Sequence, residues 1–203
     1  MKLFKYTMLV AAVCAAFTLQ PAKADFTSTL DNPGGTGLTP PFGTVDVSLL
    51  GQTATITFTS NTAGGYFFID SGAADVQVNA ATFTETIGTD AAFDKFEFGK
   101  NINGFGTFNL IVRNSDGTGS QVDTISFTVT NTSLTPWASA NDVLTTNANG
   151  FDAAAHVSFN NGVVTGFVAE APGQFHVPDG GTTAMLLGLG LSGLGFVRRF
   201  AGR

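Results

Sequence analysis

The feature that most constrains the fold of this chain is a strict alternation of hydroxyl and apolar residues. Residues 53–59 read TATITFT, and residues 124–130 read TISFTVT. Because successive side chains of a β-strand point to opposite faces, each segment predicts a strand with one apolar and one hydroxyl face. A helix would instead place apolar residues three and four positions apart. The sequence therefore predicts a β-sheet framework.

Several shorter segments show the same period and are bounded by Gly, Asn or Asp. They are residues 45–49, 76–78, 96–98, 108–112 and 157–159. Short strands at this spacing are typical of an all-β fold, and we expect an antiparallel β-sandwich or jelly-roll-like domain over residues 25–172. A parallel α/β fold would need crossover helices that the pattern does not supply.

Three segments of this domain have more specific predictions. Residues 25–43, rich in Gly, Pro and Thr, predict a lead-in segment or an edge strand. Residues 136–144 predict a helical turn in a loop that covers one end of the domain. Residues 153–170 predict the last hairpin.

The N-terminus has the layout of a secretory signal peptide over residues 1–24. Lys2 and Lys5 precede an apolar run at residues 8–19, and small residues flank position 23. We expect signal peptidase to cut between Ala24 and Asp25. A permanent membrane anchor would need about 20 apolar residues, which this run does not reach.

The C-terminus combines an apolar run with a basic tail. Residues 184–197 carry no charge, and Arg198, Arg199 and Arg203 follow them. We expect a membrane helix over about residues 182–197. The arginines of residues 198–203 would stop transfer and stay in the cytoplasm, because basic residues that flank a span resist translocation.

A short motif lies directly before this span. It consists of Val177, Pro178, Asp179, Gly180 and Gly181, and residues 173–176 form a tether to it. Pro178 biases Val177 towards an extended backbone, and the two glycines offer little steric obstruction. A membrane-bound processing enzyme could thread such a segment through its active site.

The order of motif, apolar span and basic tail resembles the PEP-CTERM class of sorting signals, most closely the VPDSG-type variant. Gly180 lies where that variant usually has Ser. The resemblance implies a substrate of an exosortase-type processing enzyme that cuts within residues 177–181. It also implies a destination at the cell surface or in the extracellular matrix, alongside exopolysaccharide. The alternatives are an ordinary single-pass anchor and a GPI signal, which the basic terminus fits poorly.

The charge of the central domain excludes one class of partner. Between residues 25 and 177, only Lys95, Lys100 and Arg113 are basic, and fourteen residues are acidic, which gives a net charge of −11. Binding to nucleic acid needs clustered basic residues. We therefore expect no nucleic-acid partner.

The domain offers little catalytic chemistry. After signal-peptide cleavage it has no cysteine, and no G-x-S-x-G nucleophile elbow occurs. His156 should lie on the face opposite Val157, where it is solvent-facing or hydrogen-bonded. Glu85, Glu97 and Glu170 show no spacing that selects a glycosidase pair. We therefore expect no enzyme activity and no catalytic residues.

Calcium is the one cofactor that the sequence raises. Asn114 and Asp116 resemble part of an oxygen-rich calcium loop, but the EF-hand pattern is not complete around them. The alternative is a hairpin turn at Asp116 and Gly117 that joins strands ending near Arg113 and beginning near Val122. The turn is the interpretation we favour, and no other metal or cofactor is expected.

These observations predict an exported, non-enzymatic surface or matrix protein with a structural or adhesive role. It would be anchored transiently by one C-terminal span before processing. The alternative is an exported carbohydrate-binding module or polysaccharide hydrolase that carries the same sorting signal, because sorting says nothing about the activity of the domain.

Overall fold

The computed structural model describes residues 24–88, 93–114, 120–160 and 162–172. The predicted signal peptide, apart from Ala24, and the whole C-terminal segment 173–203 lie outside this part of the chain. The only described helices are two 3₁₀ turns, at Thr62–Gly64 and Ala140–Asp142. Within these ranges, no helix is long and apolar enough to cross a membrane.

Fourteen strands make up the rest of the described framework. In chain order they are β1 Ala24–Asn32, β2 Gly43–Leu50, β3 Thr53–Ser60, β4 Tyr66–Ile69, β5 Ser71–Val76, β6 Phe83–Ile87, β7 Lys95–Glu97, β8 Lys100–Ile102, β9 Gly106–Phe108, β10 Leu110–Arg113, β11 Gln121–Val122, β12 Thr124–Asn131, β13 Ala153–Phe159 and β14 Val164–Glu170.

Twelve of these strands belong to one sheet with antiparallel pairing. The main order is β6-β12-β3-β2-β1-β14-β13-β5-β10-β7, and β4 joins β13 to β11 beside this path. The two remaining strands, β8 and β9, form a separate hairpin. The all-β, antiparallel prediction is therefore confirmed.

The inner side of the sheet encloses one apolar core. Alternate residues of β2, β3 and β12 are buried, as the period-two pattern predicts. The ring of Phe58 lies 6.1 Å from that of Phe68 and 6.4 Å from that of Phe127, measured between centroids. Since Phe68 lies on β4 and Phe58 on β3, this contact joins the two halves of the sheet across its interior.

The two ends of the sheet also meet through side chains. Phe96 of β7 packs edge-on against Phe127 of β12, with ring centroids 5.9 Å apart. Phe98 lies just after β7, and its ring centroid is 6.4 Å from that of Phe83 on β6. The sheet therefore curls until its first and last strands come together without pairing, and it is nearly closed.

The outward side of the first half of the sheet is lined with hydroxyl groups. We call this surface the hydroxyl face, and it comprises the outward residues of β6, β12, β3, β2 and β1. Every outward residue of β6, β12 and β3 is Thr or Ser: Thr84, Thr86, Thr124, Ser126, Thr128, Thr130, Thr53, Thr55, Thr57 and Thr59.

The outward side of the second half is covered by a further layer. Ile102 of β8 and Phe108 of β9 pack with Phe105 and Phe151 into a second apolar cluster. From the sheet, this cluster includes Ile111, Ala154 and Ala169. We call the β8–β9 hairpin with residues 145–151 the outer layer. It explains why β5 is buried on both faces, at residues 72–76.

Some predictions need correction. The sequence suggested two packed sheets, but the strands form one continuous curled sheet whose halves face each other. Residues 25–43 do not contribute an edge strand, because β1 lies between β2 and β14. The strands before and after the predicted hairpin turn are not paired with each other: β10 pairs with β5 and β7, and β11 pairs with β4. Asp116 and Gly117 themselves lie outside the described residues.

Other predictions are confirmed. The segments at residues 53–59 and 124–130 are the neighbouring strands β3 and β12. The last hairpin is β13–β14, and the predicted helical turn contains the 3₁₀ turn Ala140–Asp142. Trp137 in that loop is buried, and its backbone N–H donates to Gln52 Oε1 at 2.9 Å. The loop therefore covers part of the inner core.

The burial of Phe58 in the inner core predicts how a cavity at this position changes stability. Phe58→Ala should lower the free energy of unfolding by about 3–5 kcal/mol, since it removes a fully buried ring that joins both halves of the sheet. Thr59→Ala, on the exposed side of the same strand, is the matched control and should stay within about 0.5 kcal/mol of the parent. Urea denaturation measures both, and equal losses would contradict this core assignment.

Candidate functional site

A polar pocket opens where the outer layer meets the sheet. We call it the outer pocket; its volume is about 370 Å³, and its lining includes Asp70, Glu97, Lys100, His156 and Phe167. The lining residues come from five strands and a loop, because β7, β10, β13 and β14 lie on one side of the sheet order and β8 of the outer layer lies beside them. The pocket is therefore a product of tertiary structure and not of any one motif.

His156 lies on the outward face of β13, as the alternation predicts. Its neighbour Val157 is buried in the inner core, and His156 itself is half-buried. The imidazole stacks on the ring of its cross-strand partner Phe167, with centroids 4.4 Å apart and planes 21° apart. This contact holds the ring at the wall of the outer pocket.

Glu97 is the centre of the charge in the outer pocket. Its Oε1 accepts a hydrogen bond from Arg113 Nη1 at 2.5 Å, and Lys100 Nζ lies 3.9 Å from Oε2. Partly exposed ion pairs of this kind contribute about 0–1 kcal/mol. Two of the three basic residues of the domain are thus engaged by one carboxylate, which leaves Glu97 poorly placed to act as a free base.

Asp75 lies on β5, in the row that Ile111 and Ala154 complete on the neighbouring strands. It is fully buried, and among the described residues neither carboxylate oxygen has a hydrogen-bond partner. Removal from water disfavours the charged form, so burial raises the pKa of Asp75 well above its ordinary value of 3.8. Burial therefore favours the neutral form of this carboxyl group.

The backbone beside Asp75 depends on a glycine. Gly72 has φ +75°, and a Cβ atom there would lie 2.9 Å from the Phe167 ring and 3.2 Å from an Asp75 carboxylate oxygen. A side chain at this position would be strained by the backbone conformation and by both neighbours. Gly72 thus allows β5 to bring the buried carboxyl group next to Phe167, a wall residue of the outer pocket.

Asp75 is the residue that sequence reasoning missed. The sequence could have indicated Asp75, because the segment Ala73-Ala74-Asp75-Val76 contains one acidic residue among apolar ones. The second apolar cluster was not foreseen, so nothing indicated that the outward side of β5 is covered. Full burial means that the structure gives Asp75 no contact with a dissolved substrate.

Trp137 and Tyr66, the aromatic residues of the described domain with the polar handle typical of sugar-binding rings, are buried. Trp137 is 5% exposed and Tyr66 is 4% exposed. The indole N–H of Trp137 donates to the Asn79 carbonyl at 2.7 Å, and the Tyr66 hydroxyl donates to the Thr39 carbonyl at 2.7 Å. Both rings are therefore structural parts of the described domain and not open stacking platforms.

The calcium candidate is only partly within the described chain. Asn114 is buried, and Asp116 lies outside the described residues. Across the ranges that the structure describes, no group of three or more His, Cys, Asp or Glu side chains is arranged to hold a metal ion. The calcium interpretation gains no support from these residues.

The predicted sorting residues Val177, Pro178, Asp179, Gly180 and Gly181 and the arginines at 198, 199 and 203 lie outside the described residues. Comparison with known families does reach them. A family model described as the VPDSG-CTERM motif matches residues 176–199. No curated protein and no solved structure matches the chain. The chain thus carries a VPDSG-type C-terminal sorting signal, which supports an exported protein sorted by an exosortase-type system.

The buried carboxyl group predicts a specific pH dependence. Between the unfolded and the raised folded pKa of Asp75, the folded state binds more protons, so the free energy of unfolding falls as pH rises through the folded pKa. Asp75→Asn removes this titration. We expect the stability of the variant relative to the parent to increase between about pH 4 and pH 8.

Urea denaturation across that pH range measures the effect. The matched control is Asp123→Asn, which removes an exposed carboxylate, and its difference from the parent should not show the same upward trend. If the free energies of unfolding of Asp75→Asn and the parent change in parallel with pH, the pKa of this carboxyl group does not differ between the folded and unfolded states.

Proposed function

We propose that this chain is a surface or extracellular-matrix protein with a structural or adhesive role, delivered by exosortase-type processing and associated with exopolysaccharide. The single observation that supports this route of delivery is the VPDSG-CTERM match at residues 176–199. The role at the destination rests on the character of the domain, which is a compact sheet without an assembled catalytic centre among the described residues.

The order of the segments supports a defined sequence of processing steps. Signal peptidase removes residues 1–24, and β1 begins at Ala24, beside that cleavage point. The span at residues 182–197 then holds the protein in the inner membrane, with Arg198, Arg199 and Arg203 on the cytoplasmic side. The exosortase-type enzyme cuts within residues 177–181, which follow the last strand in the chain.

The described side chains favour a non-enzymatic role. Glu97 in the outer pocket is paired with Arg113, and Asp75 is sealed from solvent. General acid–base chemistry requires titratable groups within hydrogen-bond reach of a substrate. Asp75 does not meet that requirement because it is buried, and the Glu97 carboxylate in the outer pocket is already engaged by Arg113.

A polysaccharide-directed function is the second candidate. The outer pocket supports it, because Asp70 and Glu97 both line this cavity and hydrolysis of sugars uses two carboxyl groups. The burial of Trp137 and Tyr66 weighs against it, since sugar-binding modules present exposed aromatic rings. Turnover of neutral and acidic polysaccharides by the purified protein would favour this candidate over the first.

Replacement of the central motif residues tests the delivery. The double variant Pro178→Ala/Asp179→Ala should remain in the inner-membrane fraction, because the processing enzyme no longer recognises its motif while the span persists. The matched control is Pro172→Ala/Gln174→Ala, which also loses one proline but leaves the motif intact, and it should be released like the parent.

Fractionation of cells that contain the exosortase-type enzyme, followed by immunoblotting, measures release. If the motif variant reaches the cell surface or medium as efficiently as the control, the motif does not direct processing and the delivery proposal fails.

A further inference from the structure

The curled sheet leaves an open slot between its first and last strands, which we call the edge slot. β6 pairs with β12 and β7 pairs with β10, so each has one edge without a partner among the described strands. Cα atoms of β6 and β7 come within 8 Å of each other at isolated positions at most. Two edges that share one inserted strand would lie about 9.6 Å apart, twice the spacing of paired strands. The edge slot therefore leaves room for one more strand.

The open edge of β6 presents its own backbone groups to the edge slot. The N–H of Gly88, just after β6, donates to the Ser126 carbonyl at 2.9 Å. Because antiparallel pairing alternates, the even-numbered residues of β6 bond to β12 and the odd-numbered ones point their N–H and C=O groups to the slot. These are Phe83, Glu85 and Ile87. An extended chain could bond to them as a further strand.

The side chains of the same three residues turn to the inner side of the sheet. Glu85 lies opposite Val129 and Ile87 lies opposite Phe127, and both partners belong to the inner core. Phe83 packs against that core as well. The inner side of β6 therefore reads apolar, acidic and apolar at alternate positions.

A cavity follows this edge. Its volume is about 630 Å³, and its lining includes Thr82, Phe83, Glu85 and Phe98. Phe98 remains 53% exposed although its ring contacts Phe83. Apolar surface that stays exposed beside a cavity is typical of a place where a partner binds. The edge slot thus offers apolar surface as well as unpaired backbone.

The charge of the edge slot comes from Glu85. It is half-buried, and within the described ranges its carboxylate forms no ion pair, since Lys100 and Arg113 are both engaged by Glu97. Lys95 lies on the outward side of β7, as Glu97 does. A strand with a basic residue opposite Glu85 would be attracted in a partly desolvated position, and an acidic one would be repelled.

Backbone, shape and charge together define the partner. We propose that the edge slot binds an extended basic peptide, which adds to β6 as a strand. Its inner side carries an apolar residue, then Lys or Arg, then a second apolar residue, opposite Phe83, Glu85 and Ile87. Main-chain hydrogen bonds supply the affinity, and the charge opposite Glu85 supplies the specificity.

Two capped probe peptides test this assignment. TVTKTVT has the proposed pattern, and TVTETVT differs only in the charge of its central residue. Fluorescence anisotropy with the full-length chain in a non-ionic detergent should show about tenfold tighter binding of the lysine peptide. Glu85→Lys should reverse this preference, because it places a positive charge in the same slot. A lysine peptide N-methylated at its Val and Lys residues keeps its side chains but cannot donate to β6, and should bind about tenfold less tightly.

The matched control is Asp123→Lys, which makes the same change of charge at an exposed residue before β12, outside the edge slot. It should keep the preference of the parent for the lysine peptide. Failure of the parent to bind the lysine peptide, equal affinity for both peptides, or no reversal in Glu85→Lys would overturn the proposal. If the parent binds neither peptide and Glu85→Val dimerises on size-exclusion chromatography, Glu85 instead keeps the edge from pairing with a second copy. None of these outcomes bears on processing of the C-terminus.

Discussion

The packing of one sheet around its own phenylalanine-rich core is the interaction on which the rest of the structure depends. Phe58 reaches Phe68 across the interior, and Phe96 meets Phe127 where the two ends of the sheet approach. Because these contacts bury the inner side of the strands, the core does not require the same residues on the outward side of both halves of the sheet. One half presents hydroxyl groups to solvent, and the other supports a second apolar layer that buries β5 on both faces.

The division of the chain explains why its delivery and its activity are separate questions. The sorting signal occupies residues 176–199, beyond β14, whereas every described contact of the core lies within residues 24–172. Most of the basic residues belong to the terminal segments, and the domain between them is strongly acidic. The C-terminal sorting signal lies outside this domain, so it does not constrain what the domain binds.

The sequence predicted those elements whose signal is local. Alternation in residues 53–59 and 124–130 identified β3 and β12, and it placed His156 on the side opposite Val157. Closure of the sheet could not be predicted, because contacts such as Phe96–Phe127 depend on positions far apart in the chain. The buried Asp75 was missed for the same reason, since only the outer layer hides it. Turn composition at Asp116 and Gly117 suggested a hairpin, but pairing is decided by which strand edges the fold leaves open.

We expect the VPDSG-type sorting signal at the end of this chain to be absent from the mature protein. Intact-mass spectrometry of the mature protein, isolated from the surface or medium of cells with the exosortase-type enzyme, tests it most directly. We expect an N-terminus at Asp25 and a C-terminus within residues 177–181. A mature protein whose mass extends to Arg203 would contradict it.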